Sequence, residues 1–198
     1  MSGKIILVIG GARSGKSTFA EKYVLTYGVR CAYLATAEIL DEEMAERVKF
    51  HQARRDKKRW LTYEAPFHAE KTIACAAEKA DCLLFDCLTL YVTNLMYGIG
   101  APGTFAEKAI YVREEIDKLL AAAKASGRTV VFVTNDVGSG IVPENAMARE
   151  YRDVAGWVNQ QVGNASESVY YVLAGQAVDI KKLAFKFEDA SSAVGSEL

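Results

Sequence analysis

The chain has 198 residues, 51% of them hydrophobic, which is enough for one well-buried core and short for two independent domains. Its 24 basic and 25 acidic side chains leave a formal net charge of -1, which excludes a global field drawing it to nucleic acid or an anionic membrane. The four cysteines, Cys31, Cys75, Cys82 and Cys87, contain no C-x-x-C pair, which argues against structural zinc and for free thiols in a reducing compartment.

The first predicted element is an apolar strand over Lys4–Ile9, and it runs directly into Gly10-Gly11-Ala12-Arg13-Ser14-Gly15-Lys16-Ser17. That stretch satisfies G-x-x-x-x-G-K-[ST], a phosphate-binding loop that needs a strand before it and a helix after it. The helix follows, with Phe19 and Tyr23 at helical spacing and Gly28 as its stop. Glycines let backbone N–H groups approach phosphate, Lys16 reaches the β- and γ-phosphates, and Ser17 offers a hydroxyl to Mg²⁺. A nucleoside triphosphate is therefore the first ligand to expect.

A second strand is predicted over Cys31–Ala35. Asp41-Glu42-Glu43-Met44 then reads as a helix start, with Leu40, Met44 and Val48 on one stripe. His51 falls on or beside that stripe, with Arg54 and Arg55 one turn on. A lone histidine at such spacing is commonly a satisfied core or boundary residue, yet the arginines suit an anionic ligand and a neutral imidazole is a competent nucleophile towards phosphorus. Trp60 to Ala65 alternate weakly, as a short extra strand would, and His68 is expected on the surface. Cys82–Phe85 forms a strand ending in Asp86, either the carboxylate that faces Mg²⁺ or an acid capping the next turn.

The longest helical pattern covers Phe105 to Ala125 and ends at Gly127. A strand over Thr129–Thr134 leads to Asn135, Asp136 and a glycine-rich turn, and a further helix is expected from Pro143 to about Val162. Val169–Leu173 is the last predicted strand, and the tail from Glu188 to Leu198 is expected to fray. Strands alternating with helices predict an α/β fold with a mostly parallel sheet and helices on both faces, one domain over residues 1–187. With no run near the roughly 18 apolar residues of a membrane span, the chain is expected to be soluble and cytoplasmic.

Several separated blocks resemble one family, the bifunctional adenosylcobinamide kinase/adenosylcobinamide-phosphate guanylyltransferases of cobalamin biosynthesis. They are Gly10 to Ser17; Ala35-Thr36-Ala37 with Asp41 to Met44 and the Arg47-to-His51 stretch; Asp86-Cys87-Leu88-Thr89 with Thr93-Asn94-Leu95; and Thr134 to Asn145, continuing through Arg152-Asp153-Val154-Ala155-Gly156 to Asn159-Gln160. The phosphate loop alone is widely shared, whereas the last block is specific.

The resemblance implies a RecA-like P-loop fold and two reactions. The first phosphorylates adenosylcobinamide with ATP or GTP, and the second transfers GMP from GTP to adenosylcobinamide phosphate with loss of pyrophosphate. It further implies that His51 forms a covalent GMP–histidine intermediate, and that Gly10, Gly11, Ala12, Arg13, Ser14, Gly15, Lys16 and Ser17 cradle phosphates. Ala35, Thr36, Ala37, Gln52, Ala53, Arg54, Arg55, Glu64 and Asp86 are implied to line the nucleotide site, and Ser17 and Asp86 to serve the metal. Some relatives carry glutamate in place of Asp86, so that carboxylate faces either Mg²⁺ or guanine. A symmetric homo-oligomer, a trimer, is also implied. Two other readings of the residues are a small-molecule kinase without nucleotidyl transfer, separated by His51, and a GTPase-like switch. Against the switch, the strand after Gly127 ends in Thr-Asn-Asp-Val and not in an N-K-x-D base-reading signature.

Overall fold

The computed structural model describes residues 2–38 and 59–185. Seven strands form one sheet in the order β3-β2-β4-β5-β1-β6-β7: β1 (Lys4–Gly10), β2 (Cys31–Ala35), β3 (Trp60–Glu64), β4 (Cys82–Asp86), β5 (Thr129–Asn135), β6 (Ser168–Leu173) and β7 (Gln176–Asp179). All neighbours pair in parallel except β6 and β7, which form an antiparallel hairpin. The helices are α1 (Lys16–Tyr27), α2 (Ala69–Ala77), α3 (Leu88–Tyr97), α4 (Phe105–Ala125) and α5 (Ala146–Ala165), with a 3₁₀ turn over Ile180–Lys182.

The central strands β1, β4 and β5 are apolar almost without interruption because both of their faces are covered. Ile6, Val8, Leu84, Val131 and Val133 point to one face and pack with Ala20 and Val24 of α1. Ile5, Leu7, Leu83, Phe85, Val130 and Phe132 point to the other, where α2 to α5 bury Ile73, Tyr91, Ile116 and Val158. Phe85 anchors this second layer, with its ring 5.4 Å from Tyr91 and 5.2 Å from Phe132. Helices thus cover both faces, as predicted, but among the described residues four lie on one side and one on the other.

The predicted helix over Phe105–Ala125 has those bounds, and α1 ends at Tyr27 before Gly28 as expected. The last helix starts at Ala146, not Pro143, because Asn145 supplies its cap: its Oδ1 accepts the Ala148 N–H at 3.2 Å. β7 is an element that the sequence reading did not contain. The helix expected from Asp41 and the tail from Glu188 lie outside the described residues. No described helix is long and apolar enough to cross a membrane.

Candidate active site

Because six strands run parallel, their carboxyl ends gather along one edge of the sheet, the edge where open α/β sheets bind ligands. The loop from Gly10 to Gly15 joins β1 to α1 there. Its turn is closed by Ser14 N–H donating to the Gly11 carbonyl at 3.3 Å, and both Arg13 (φ 57°) and Gly15 (φ 97°) adopt the left-handed conformation. Gly15 precedes the helix without any side-chain cap on its first turn, so the free N–H groups of α1 are turned towards the loop. That is an anion site made from backbone.

Two close approaches fix the loop's shape. At Gly10 an added Cβ would lie 2.7 Å from the Ser14 Oγ and against the Val172 carbonyl. From the far side the tip of the β6–β7 hairpin closes in, with Gly175 N–H donating to the Ser14 carbonyl at 2.8 Å. Lys16 lies across the loop, its Nζ donating to the Gly11 carbonyl at 3.1 Å. The Ser14 Oγ is buried and has no hydrogen-bond partner. A phosphate entering the loop offers acceptors to that hydroxyl and to Lys16.

Strand register places Ala35 beside both Glu64 and Asp86. Asp86 is half-buried, and its Oδ2 accepts the Tyr33 hydroxyl at 3.2 Å. Its oxygens and the half-buried Ser17 hydroxyl are hard oxygen donors, the type that Mg²⁺ takes. Thr36 is fully buried and turned inward: its Oγ1 accepts the Cys87 N–H at 2.7 Å and donates to the Cys87 carbonyl at 2.8 Å. Asn94 of α3 donates through Nδ2 to the Thr36 carbonyl at 2.8 Å and to the Pro66 carbonyl at 3.1 Å, so one amide ties the ends of β2 and β3. Ala37 is half-buried beside this tie.

The end of β5 is braced as well. Asn135 donates through its backbone N–H and its Nδ2 to Thr89 Oγ1 at 3.0 and 3.1 Å, and its carbonyl accepts from Asn159 at 3.3 Å. Asp136 N–H donates to the Gly10 carbonyl at 3.2 Å, which seats the turn after β5 against the phosphate loop. A cleft of about 440 Å³ between β6 and α5 reaches this point, bordered by Ile9, Asp136, Asn159, Gln160 and Tyr171.

The structure therefore brings Gly10 to Ser17, Ala35, Ala37, Glu64 and Asp86 to one edge. His51, Gln52, Ala53, Arg54 and Arg55 lie outside the described residues. His68 is 67% exposed, as expected, although Glu70 and Glu115 lie close enough to form an imidazole–carboxylate grouping with it. Three supports had no structural role in the sequence reading, although Asn94 and Asn159 stand in the blocks that carry the resemblance. Asn94 and Asn159 carried no periodic signal that separates an inward amide from a surface one, whereas Gly175 sat in an Ala-Gly pair after an apolar run, a readable turn signal.

A model of the family described as cobinamide kinase / cobinamide phosphate guanyltransferase matches residues 6–180. The bifunctional adenosylcobalamin biosynthesis protein CobU of Salmonella typhimurium is 41% identical over 182 residues, covering 89% of this chain and 99% of that protein, and the Escherichia coli protein gives the same figures. The CobP protein of Pseudomonas aeruginosa is 36% identical over 88% of this chain and 96% of its own length. Among solved structures, a KaiC-like protein from Pyrococcus horikoshii superposes with a TM-score of 0.49 at 15% identity, covering 86% of this chain and 71% of that one.

Proposed function

The chain belongs to the cobinamide kinase / cobinamide phosphate guanyltransferase family, and from that premise we propose how its residues divide two reactions of adenosylcobalamin biosynthesis. In the first, the hydroxyl of adenosylcobinamide attacks the γ-phosphorus of ATP or GTP. In the second, His51 attacks the α-phosphorus of GTP, pyrophosphate leaves, and the GMP group passes from histidine to adenosylcobinamide phosphate. A single catalytic domain over residues 1–187 carries both.

The observation that supports this most is the uncapped start of α1 behind a loop that is closely approached at Gly10 and, in the left-handed conformation, at Gly15. Such a loop holds triphosphate in the first reaction and the departing pyrophosphate in the second. Lys16 moves from the Gly11 carbonyl onto phosphate oxygens, where its charge counts for more. Ser17 and Asp86 would hold Mg²⁺, which when bound offsets charge on the phosphate oxygens; the competing role for Asp86 is contact with guanine. Ala35, Thr36, Ala37, Glu64 and Gln52 to Arg55 complete the nucleotide site, Thr36 through the backbone that its buried hydroxyl fixes.

The four free thiols, two of them fully buried, fit a reducing cytoplasm. The family likeness also supports a homotrimer. The deciding experiment uses [α-³²P]GTP: wild type acquires an acid-labile label and His51→Ala does not. An unlabelled wild type, or a labelled variant, overturns the histidine mechanism and leaves a kinase alone.

A further inference from the structure

The start of α5 stands beside the turn that follows β5, and two arginines one turn apart face that turn. Arg149 is occupied, its Nη1 donating to the carbonyls of Pro143 and Glu144 at 2.9 and 2.6 Å. Arg152 is half-buried and only half-occupied. Its Nη2 donates to the Gly138 carbonyl at 2.5 Å, while its Nη1 is sealed from solvent without any acceptor. Among the described residues no carboxylate forms an ion pair with it.

A guanidinium stays charged at every physiological pH, and holding one of its nitrogens out of solvent with no acceptor leaves a charged donor unmet. An anion is therefore the missing partner. It is not the nucleotide's phosphates, which Lys16 and the N-terminus of α1 already serve. Yet it is close to them, since Gly138 is two residues from Asp136, whose N–H holds the Gly10 carbonyl. Beyond the same turn Ile141 and Val142 are 97% and 63% exposed, and Met147 at the start of α5 is 55% exposed. A guanidinium nitrogen without an acceptor, on a stretch of chain that also carries exposed apolar side chains, fits a bulky, weakly polar molecule that carries one phosphate.

We propose that Arg152 binds the phosphate monoester of the corrinoid acceptor, with Ile141, Val142 and Met147 against the corrinoid body; this rests on the transferase reading above. In the transfer step an oxygen of that phosphate forms the new P–O bond to the α-phosphorus. The P–N bond to histidine breaks, and its electron pair returns to the imidazole nitrogen. One guanidinium beside the attacking phosphate lowers the repulsion between two anionic groups and aims the oxygen, most effectively as a planar fork.

The test compares equilibrium binding of adenosylcobinamide phosphate with that of adenosylcobinamide, in wild type, Arg152→Ala and Arg152→Lys. Wild type is expected to prefer the phosphorylated corrinoid by about tenfold or more, Arg152→Ala to lose that preference, and Arg152→Lys to retain part of it. Arg152→Lys keeps a donor for the Gly138 carbonyl and so covers a folding failure of the alanine variant, which melting curves would reveal. An unchanged preference in the folded variants overturns the proposal, as does a wild type without preference. Labelling of wild type by [α-³²P]GTP, run alongside, tests the transferase reading separately because it needs no acceptor.

Discussion

Lys16 and Asn94 serve the same edge of the sheet in different ways, and their substitutions should separate chemistry from architecture. The Lys16 ammonium donates to one carbonyl of an exposed-edge loop, so Lys16→Ala removes little packing. Melting should stay near wild type while both activities fall about a hundredfold or more, measured as kcat with saturating nucleotide. Asn94 is 9% exposed and joins two carbonyls just beyond the ends of β2 and β3. Asn94→Leu leaves both carbonyls without a donor, and unfolding free energy should drop by about 2–4 kcal/mol in urea titrations, with a raised KM for nucleotide. Burial also pushes the Cys82 thiol up to about 12 and the Cys87 thiol up to about 11, the second raised further by neighbouring Asp86. Unfolded thiols ionise lower, so above about pH 9 the unfolded chain binds fewer protons and stability falls as pH rises. Urea midpoints should hold steady up to about pH 8 and decline towards about pH 10, and the exposed Cys75 should alkylate well before Cys31 or Cys82.

Elements differ in how openly they are written in the chain. β1, β2, β4 and β5 are buried on both faces, so their apolar runs survive any local competition and are legible. β3 lies at the sheet's edge, where Thr62 and Glu64 are exposed, and its alternation is correspondingly weak. β7 is four residues long with a polar start; the Ala174–Gly175 turn that folds it onto β6 is a readable signal, but so short and polar a run becomes a strand only through its pairing with β6. α4 shows the reverse case, where a readable signal went unused. Thr104 and Glu107 form a capping box, with Thr104 N–H donating to Glu107 Oε2 at 3.0 Å and Glu107 N–H to Thr104 Oγ1 at 3.3 Å. The Thr104 hydroxyl also donates to Glu107 Oε2 at 2.8 Å, and this bond first and the backbone N–H bond second hold the Glu107 carboxyl below its ordinary value. The carboxylate's part of the capping contribution is therefore present above that ordinary value and lost as pH falls through the lowered one, while the Glu107 N–H bond to Thr104 Oγ1 does not titrate. Thr104→Ala should cost about 1 kcal/mol near neutral pH, read from urea midpoints, and less in acid.

At the scale of the whole molecule, the sheet edge proposed to bind nucleotide is assembled from residues far apart in the chain, and it is held by cross-links between segments and not by one element's own stability. Asp136 fastens β5's turn to Gly10, Gly175 fastens the β6–β7 hairpin to Ser14, and Asn94 fastens the ends of β2 and β3. The phosphate loop was legible because its chemistry is local. These fastenings were not, because each joins residues separated by tens to more than a hundred positions. A ligand bound inside that frame contacts the loop that several fastenings share, so its binding free energy reports on the folded sheet as a unit. GTP with Mg²⁺ at about a hundred times its Kd should stabilise the protein by about 2.7 kcal/mol, or roughly 5–10 °C in Tm. Chelating the metal should remove most of that gain if Ser17 and Asp86 hold it. Asp86→Asn then separates the two roles of that carboxylate: in the metal role the variant's GTP shift no longer depends on Mg²⁺, whereas in the guanine role the Mg²⁺ dependence survives and discrimination between GTP and ATP is lost. Thermal shifts with each nucleotide, with and without chelator, decide between them.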